Sequence, residues 1–251
     1  MGRRWQWLVA TPVALAALFL AAALAPEAVS GRKEIKFSYA KLLIEHNATD
    51  EDTGFQMAAD GEAWNRLDVL GPDGNPVLSV TARGSIQDLG LTEMFFETQE
   101  PENAEVPIPE VLANLPEGDY EFEGLSVDGV EMDGVATLTH AIPAGPVILS
   151  PDEGEVVDPG SDLEIAWEHV TETIDGDPVN VTHYQIIVEK DEKLTHPGFG
   201  RSLFSVHVPS SITSMRVPAE FLEARSPYKF EVLALEESGN QTLSSSEFKT
   251  E

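Results

Sequence analysis

The sequence predicts an all-β protein, two β-sandwich domains in tandem behind an N-terminal signal-peptide helix. Three observations carry this. After Gly31 the apolar residues come in short alternating runs separated by Gly, Pro, Asp and Asn, the spacing of strands and turns. Ala141-Ile142-Pro143-Ala144-Gly145-Pro146 is a short, stiff connector, and it leaves about 110 residues on each side, an ordinary size for a small sandwich. The chain opens on Arg3 and Arg4, followed by an apolar run from Trp7 to Ala25 that ends at Ala28-Val29-Ser30, the pattern of a secretory signal. The expected division is residues 1–30 as leader, 31–142 as a first β-sandwich and 143–251 as a second.

Cleavage of the leader is expected after Ser30, where small residues stand last and third from last. The rival reading is an uncleaved anchor, because roughly 17 to 25 apolar residues can span a bilayer. The paired arginines lack the usual surroundings of a twin-arginine signal. Either way the rest of the chain is expected beyond a bacterial inner membrane, periplasmic or extracellular, with membrane contact only through an uncleaved leader.

Composition narrows the function. The 251 residues carry 44 Asp and Glu against 15 Lys and Arg, a formal net charge of −29, and no cysteine. A surface this anionic would be repelled by phosphates, which excludes nucleic acid as a partner. The empty cysteine count excludes disulfides, Cys-ligated zinc, thiol catalysis and a lipidated cysteine. From Gly84 through Glu189 there are 25 acids in 106 residues and no Lys or Arg. Repulsion within this block should cost stability unless salt or cations screen it.

In the first domain, Leu42–His46, Leu67–Val69, Val77–Val80 and Tyr120–Phe122 read as strands. Gly71-Pro72-Asp73-Gly74-Asn75-Pro76 suits a tight reversal between two of them. A further hairpin is expected with Val127-Asp128-Gly129 at one end and Asp133-Gly134 at the other, running into Val135–Thr139. Pro109 to Leu115 reads as a helical turn. It leads to Leu115-Pro116-Glu117-Gly118-Asp119-Tyr120, a helical turn before an aromatic strand.

The second domain has the same device in clearer form. Leu163–Trp167 alternates and ends on a Trp; strands follow at Tyr184–Val188 and Leu203–Val208. Tyr228 stands six residues after Leu222, with Phe230, Val232 and Ala234 at period two behind it. This order resembles a fibronectin type III domain over about residues 144–250. The resemblance implies an immunoglobulin-like sandwich with Trp167 in the core and Leu222 and Tyr228 locking the turn before the sixth strand. The segment Leu222-Glu223-Ala224-Arg225-Ser226-Pro227-Tyr228 departs from the family's frequent Pro-Gly-Thr, and the loop from Glu168 to Val181 is long. The resemblance also implies adhesion or scaffolding roles, although the fold hosts many functions. Each Trp and Tyr in such a core is expected to find a partner for its polar edge. The first domain resembles no family.

A search for chemistry returns little. Ser38-Tyr39-Ala40-Lys41 and Ser246-Glu247-Phe248-Lys249 fit S-x-x-K, but both lie in or beside strands where a buried helix start is required. The six histidines show no ligand spacing. No cofactor is required. Calcium is the ion the acidic loops could suit, and Asn47, Asp50 and Asp52 are the candidate ligands, since calcium takes six to eight oxygens. The same loop reads, in preference, as a solvated acidic turn. Trp64 and Phe95 are candidate ligand-binding aromatics, although Trp64 reads first as core, and Phe95 and Phe96 must point to opposite faces of a strand.

The expected function is therefore a non-catalytic binding or spacer protein whose partner is a protein or polysaccharide at the cell surface. Calcium-supported glycan binding by a carbohydrate-active accessory is the alternative within binding. A weak hydrolase using acidic loop residues is the alternative in another class.

Overall fold

The computed structural model describes residues 34–192 and 203–251. The expected leader lies outside the described residues. Among those residues, no helix is long and apolar enough to cross a membrane. The protein is mostly β, with one large mixed sheet, a small three-stranded sheet and almost no helix.

The first half opens with β1 (Ile35–Lys36), β2 (Tyr39–Asn47) and β3 (Asp52–Leu70). It continues through β4 (Pro76–Thr81), β5 (Leu91–Glu97), a single helical turn α1 (Ile108–Leu112), β6 (Gly118–Ser126) and β7 (Glu131–Leu138). The frame of this half is β3, 19 residues long. Its first part pairs with β2 on one side and β5 on the other; its second part pairs with β6 and β4. The register shifts between Asp60 and Trp64 on one side and between Trp64 and Arg66 on the other. Irregularities of this kind bend a strand. The two parts of β3 thus serve two layers around one core, which includes Leu42, Phe55, Met57, Trp64, Leu67 and Phe122.

Two expectations for this half change. The residues before Leu67 belong to the same strand, because Ala58 to Gly61 carry too little apolar surface to show an alternation. Asp133-Gly134 is not a turn but lies inside β7. A Cβ on Gly134 would stand 3.1 Å from that of Ala40 and 3.3 Å from that of Phe37, so this glycine admits close packing of neighbouring backbone. The expected reversal at Gly71–Pro76 is closed by hydrogen bonds from Gly74 N to Gly71 O and from Gly71 N to Asn75 O.

The second half runs β8 (Ile148–Ser150), β9 (Glu155–Val157), β10 (Leu163–Trp167), β11 (Val181–Lys190), β12 (Leu203–Pro209), β13 (Ser214–Val217), β14 (Pro227–Glu236) and β15 (Gln241–Thr250). The small sheet has the order β13-β10-β8, and the large one continues here as β15-β14-β11-β12, with β9 parallel to β15. Trp167 and Tyr228 are 1% exposed and Leu222 8%, all in a second core. The Tyr228 hydroxyl accepts from Glu223 N at 2.7 Å, and in the first half the Tyr120 hydroxyl donates to Pro116 O at 2.7 Å. Both turns before an aromatic strand are thus tied by a tyrosine. Among the described residues, the buried indole N–H groups of Trp64 and Trp167 have no hydrogen-bond partner, contrary to the expectation that each polar edge finds one.

The large sheet does not stop between the halves. Gln241, Thr242 and Leu243 of β15 pair in parallel with Glu45, His46 and Asn47 of β2. Asn240, 1% exposed, stands at this junction. Its Oδ1 accepts from Ile44 N at 2.9 Å, and its Nδ2 donates to Thr139 O and Ala141 O at 2.9 and 3.1 Å. The long loop after β10 adds to the joint, with Ala144 N donating to Glu172 O and Ile174 N to Ile142 O.

Candidate functional site

The expected calcium loop is self-contained. Asn47 Oδ1 accepts from the backbone N–H groups of Thr49 and Asp50, and its Nδ2 donates to Asp50 Oδ2 at 2.9 Å. These bonds build an Asx-type turn, which is what Asn does when its side chain competes for local backbone groups. Asp52 lies beyond the turn at the start of β3, and its backbone carbonyl lies 3.0 Å from His46 Nδ1. Burial first, then the Asp50 carboxylate, raises the Asp52 carboxyl above its ordinary value, while burial lowers His46.

Another set of acids converges instead. One carboxylate oxygen each from Glu45 on β2, Glu97 on β5 and Glu100 just after it lie within 4.8 Å of one another. The register makes this possible: Glu45 pairs with Gly54, and Gln56 pairs with Glu97. A Cβ on Gly54 would lie 2.6 Å from Glu100 Cγ, so only glycine leaves room for that side chain to cross β3. Gln56 Nε2 donates to Glu97 Oε1 at 3.0 Å, and Gln241 Nε2 of β15 donates to Glu45 Oε2. Burial, then the neighbouring Glu97 and Glu231, pushes Glu45 up to about 7 against the opposing hydrogen bond from Gln241. Burial, then Glu45, Glu97 and Asp52, pushes Glu100 up to about 7. These oxygens are hard donors, and they amount to three of the six to eight that calcium takes. Residues 52 and 55 positions apart cannot be paired by inspection, and the abundance of acids is the one trace of this cluster in the sequence.

The candidate aromatics part company. Trp64 is 0% exposed and offers no face to a ligand. Phe95 is 61% exposed on the outer side of β5, while Phe96 turns inward. Beside Phe96 lies a cleft of about 520 Å³. Val77 and Leu78 of β4 stand on one side, with Phe96 and the segment Thr98–Pro101 on the other. Leu42, Phe55 and Met57 reach it from the core, and Val111 and Leu115 border it from the helical turn. Thr98, Gln99 and Asn114 are its polar side chains. Its size is that of an ordinary ligand site, and its lining is that of a site that recognises apolar groups.

The chain matches no family model and no curated protein. Among solved structures it is similar to the FN1–FN3 domains of chicken CNTN1, at 12% identity and a TM-score of 0.31, over 86% of this chain and 65% of that one. It is also similar to the alpha-2-macroglobulin of E. coli, at 15% identity and a TM-score of 0.31, over 84% of this chain and 14% of that one. The chain thus spans less than two thirds of either protein, and neither likeness supplies it with a ligand or an activity.

Proposed function

We propose that this is an exported, non-catalytic binding protein of two joined β-sandwich modules, whose first module holds part of a protein partner in the cleft between β4 and β5. The observation that carries the reading is the cleft itself, walled by apolar side chains from two layers and carrying only neutral polar groups. A polysaccharide would call for several exposed flat rings side by side, and of the two candidate rings Trp64 is buried and Phe95 alone is exposed. The acidic cluster sits on the joint between the modules, where it bears on stability more directly than on catalysis. In the second module, the strand orders β13-β10-β8 and β12-β11-β14-β15 are consistent with an immunoglobulin-like sandwich of the fibronectin type III kind, which supports a role in holding and spacing. Asn240 and the parallel β2–β15 pairing favour a fixed relation between the modules.

Titration with an apolar environment-sensitive dye tests the cleft. Saturable enhancement is expected. It should be lost in Val77→Glu, which puts a charge at the mouth, and in Gln99→Trp, which fills it, with both variants melting near the native temperature. Dye binding that is absent, or unchanged in both folded variants, overturns the reading.

A further inference from the structure

We infer that the cleft is the docking groove for an extended, lysine- or arginine-bearing segment of a partner protein, which adds as a strand to the free edge of β5. This rests on the reading of the cleft as the binding site and goes beyond it in naming the mode and the chemistry of the partner.

The backbone supplies the first argument. Thr98 N donates to Phe55 O at 2.9 Å, so the residues two and four before it, Phe96 and Met94, also turn their backbone groups toward β3. By the same alternation Glu93, Phe95 and Glu97 turn theirs outward. Among the described residues no strand pairs with that edge. An open edge is a template for another strand.

The side chains supply the second. Leu91, Met94 and Phe96 of β5, with Leu78 and Val80 of β4, pack on the core yet stay only partly buried. A strand laid along β5 would place every second side chain toward these residues and the cleft, and cover them. Main-chain bonds and alternate apolar contacts would then act together.

Charge selects the occupant. The outer face of β5 carries Glu93 and Glu97 beside Phe95, and Glu100, Glu102 and Glu105 follow within eight residues of Glu97. No Lys or Arg lies between Gly84 and Glu189. On the paired strands the cations are Lys41, two strands away in register with Ala58 and Phe95, and Arg66 of β3, which is paired with Asp68 at 3.0 Å. A cationic segment is drawn to this edge and an anionic one repelled. A second copy of this chain would bring Glu93 and Glu97 against their own kind, which disfavours edge-to-edge self-pairing.

Calorimetric titration of the purified chain with a synthetic peptide of about seven alternating valines and lysines tests this, since a strand of that length matches β5. Saturable binding at low salt is expected. A peptide with a central proline, and one with glutamate for lysine, should each bind at least about tenfold more weakly. On the protein, Phe95→Pro removes an outward N–H and no bond to β3, so it should fold and lose about tenfold, while Phe95→Thr should stay within about threefold. Equal binding of the proline peptide, or equal losses in the two Phe95 variants, overturns the inference. So does a dimer in sedimentation that Phe95→Pro dissolves, for then the occupant is a second copy. If the dye binds the cleft but no peptide binds, the inference fails and the cleft reading stands; if neither binds, both fail.

Discussion

The two halves of the molecule solve the same problem with different completeness. In the second, aromatic rings knit the layers together: Trp167 meets Tyr184 edge-on at 5.3 Å, and Tyr228 stacks on Phe248 at 5.0 Å with 6° between the planes. Phe230 and Phe248 follow at 6.1 Å, and all of these rings are fully buried in the core. In the first half the rings of Trp64, Tyr120 and Phe122 are as deep, but Phe96, Met94 and Leu78 are only partly covered and border an open cleft. A closed core favours a strut and an unclosed one favours a receptor. On the proposed reading, binding falls to the first half.

The contrast can be broken at its strongest point. Phe248→Ala should cost about 3–5 kcal/mol, because it removes a ring stacked in a core with nowhere to collapse. Phe96→Ala should cost clearly less, since its ring already meets the cleft. Urea unfolding of both variants checks this, and equal losses would mean that the first half is as closed as the second.

Next in size is the joint. Asn240→Ala leaves Ile44 N, Thr139 O and Ala141 O without their partner in a buried site and should cost about 2–3 kcal/mol. Fluorescence of the buried Trp64 and Trp167, each isolated by Trp→Phe changes at the other and at Trp5 and Trp7, should then report two separate transitions. One shared transition in the variant would show that the halves are held together by other contacts.

The carboxylate cluster gives a pH signature. Glu45 has an ordinary value of 4.5 and is pushed up to about 7 in the folded protein, so the fold holds this proton where the unfolded chain releases it. Stability from this group is therefore complete below about pH 4.5, declines as pH rises through 7, and is level above. Glu45→Gln should be more stable than the native chain at pH 8, by up to about 3 kcal/mol, and nearly equal at pH 4.5. Thermal melts across this range check it, and parallel profiles would remove Glu45 as the source. The smallest effect is general. Raising salt from about 0.05 to 0.5 M should lift the midpoint by a few degrees, as the uncompensated acids are screened.

Local rules carried much of this architecture in plain view. Gly71–Pro76 had the residues a reversal requires, and the six-residue interval from Leu222 to Tyr228 marked a turn that the tyrosine hydroxyl ties. What escaped was what only register creates. The 19-residue β3 was legible solely at Leu67–Val69, because Ala58, Ala59 and Gly61 hide the alternation, and Asp133-Gly134 imitated a turn while serving close packing. The same limit hid the site: Glu45, Glu97 and Glu100 meet through two strand pairings and one bare glycine, and the cleft is lined by residues as far apart in the chain as Leu42 and Leu115. Of the expected calcium ligands, Asn47 spends its amide on Asp50 and on the backbone of the turn.

The parallel pairing of β15 with β2 has a temporal side. Asn240 and Ile44, which bond across the joint, are 196 positions apart, and β15 leaves the ribosome after every other strand described. The first half can gather its own core early, but one flank of β2 stays bare until then. Such late, long-range closure slows folding and leaves an adhesive edge exposed meanwhile. A chain threaded through a membrane before it folds would meet this delay on the far side, and its dense negative charge would keep the waiting molecules apart.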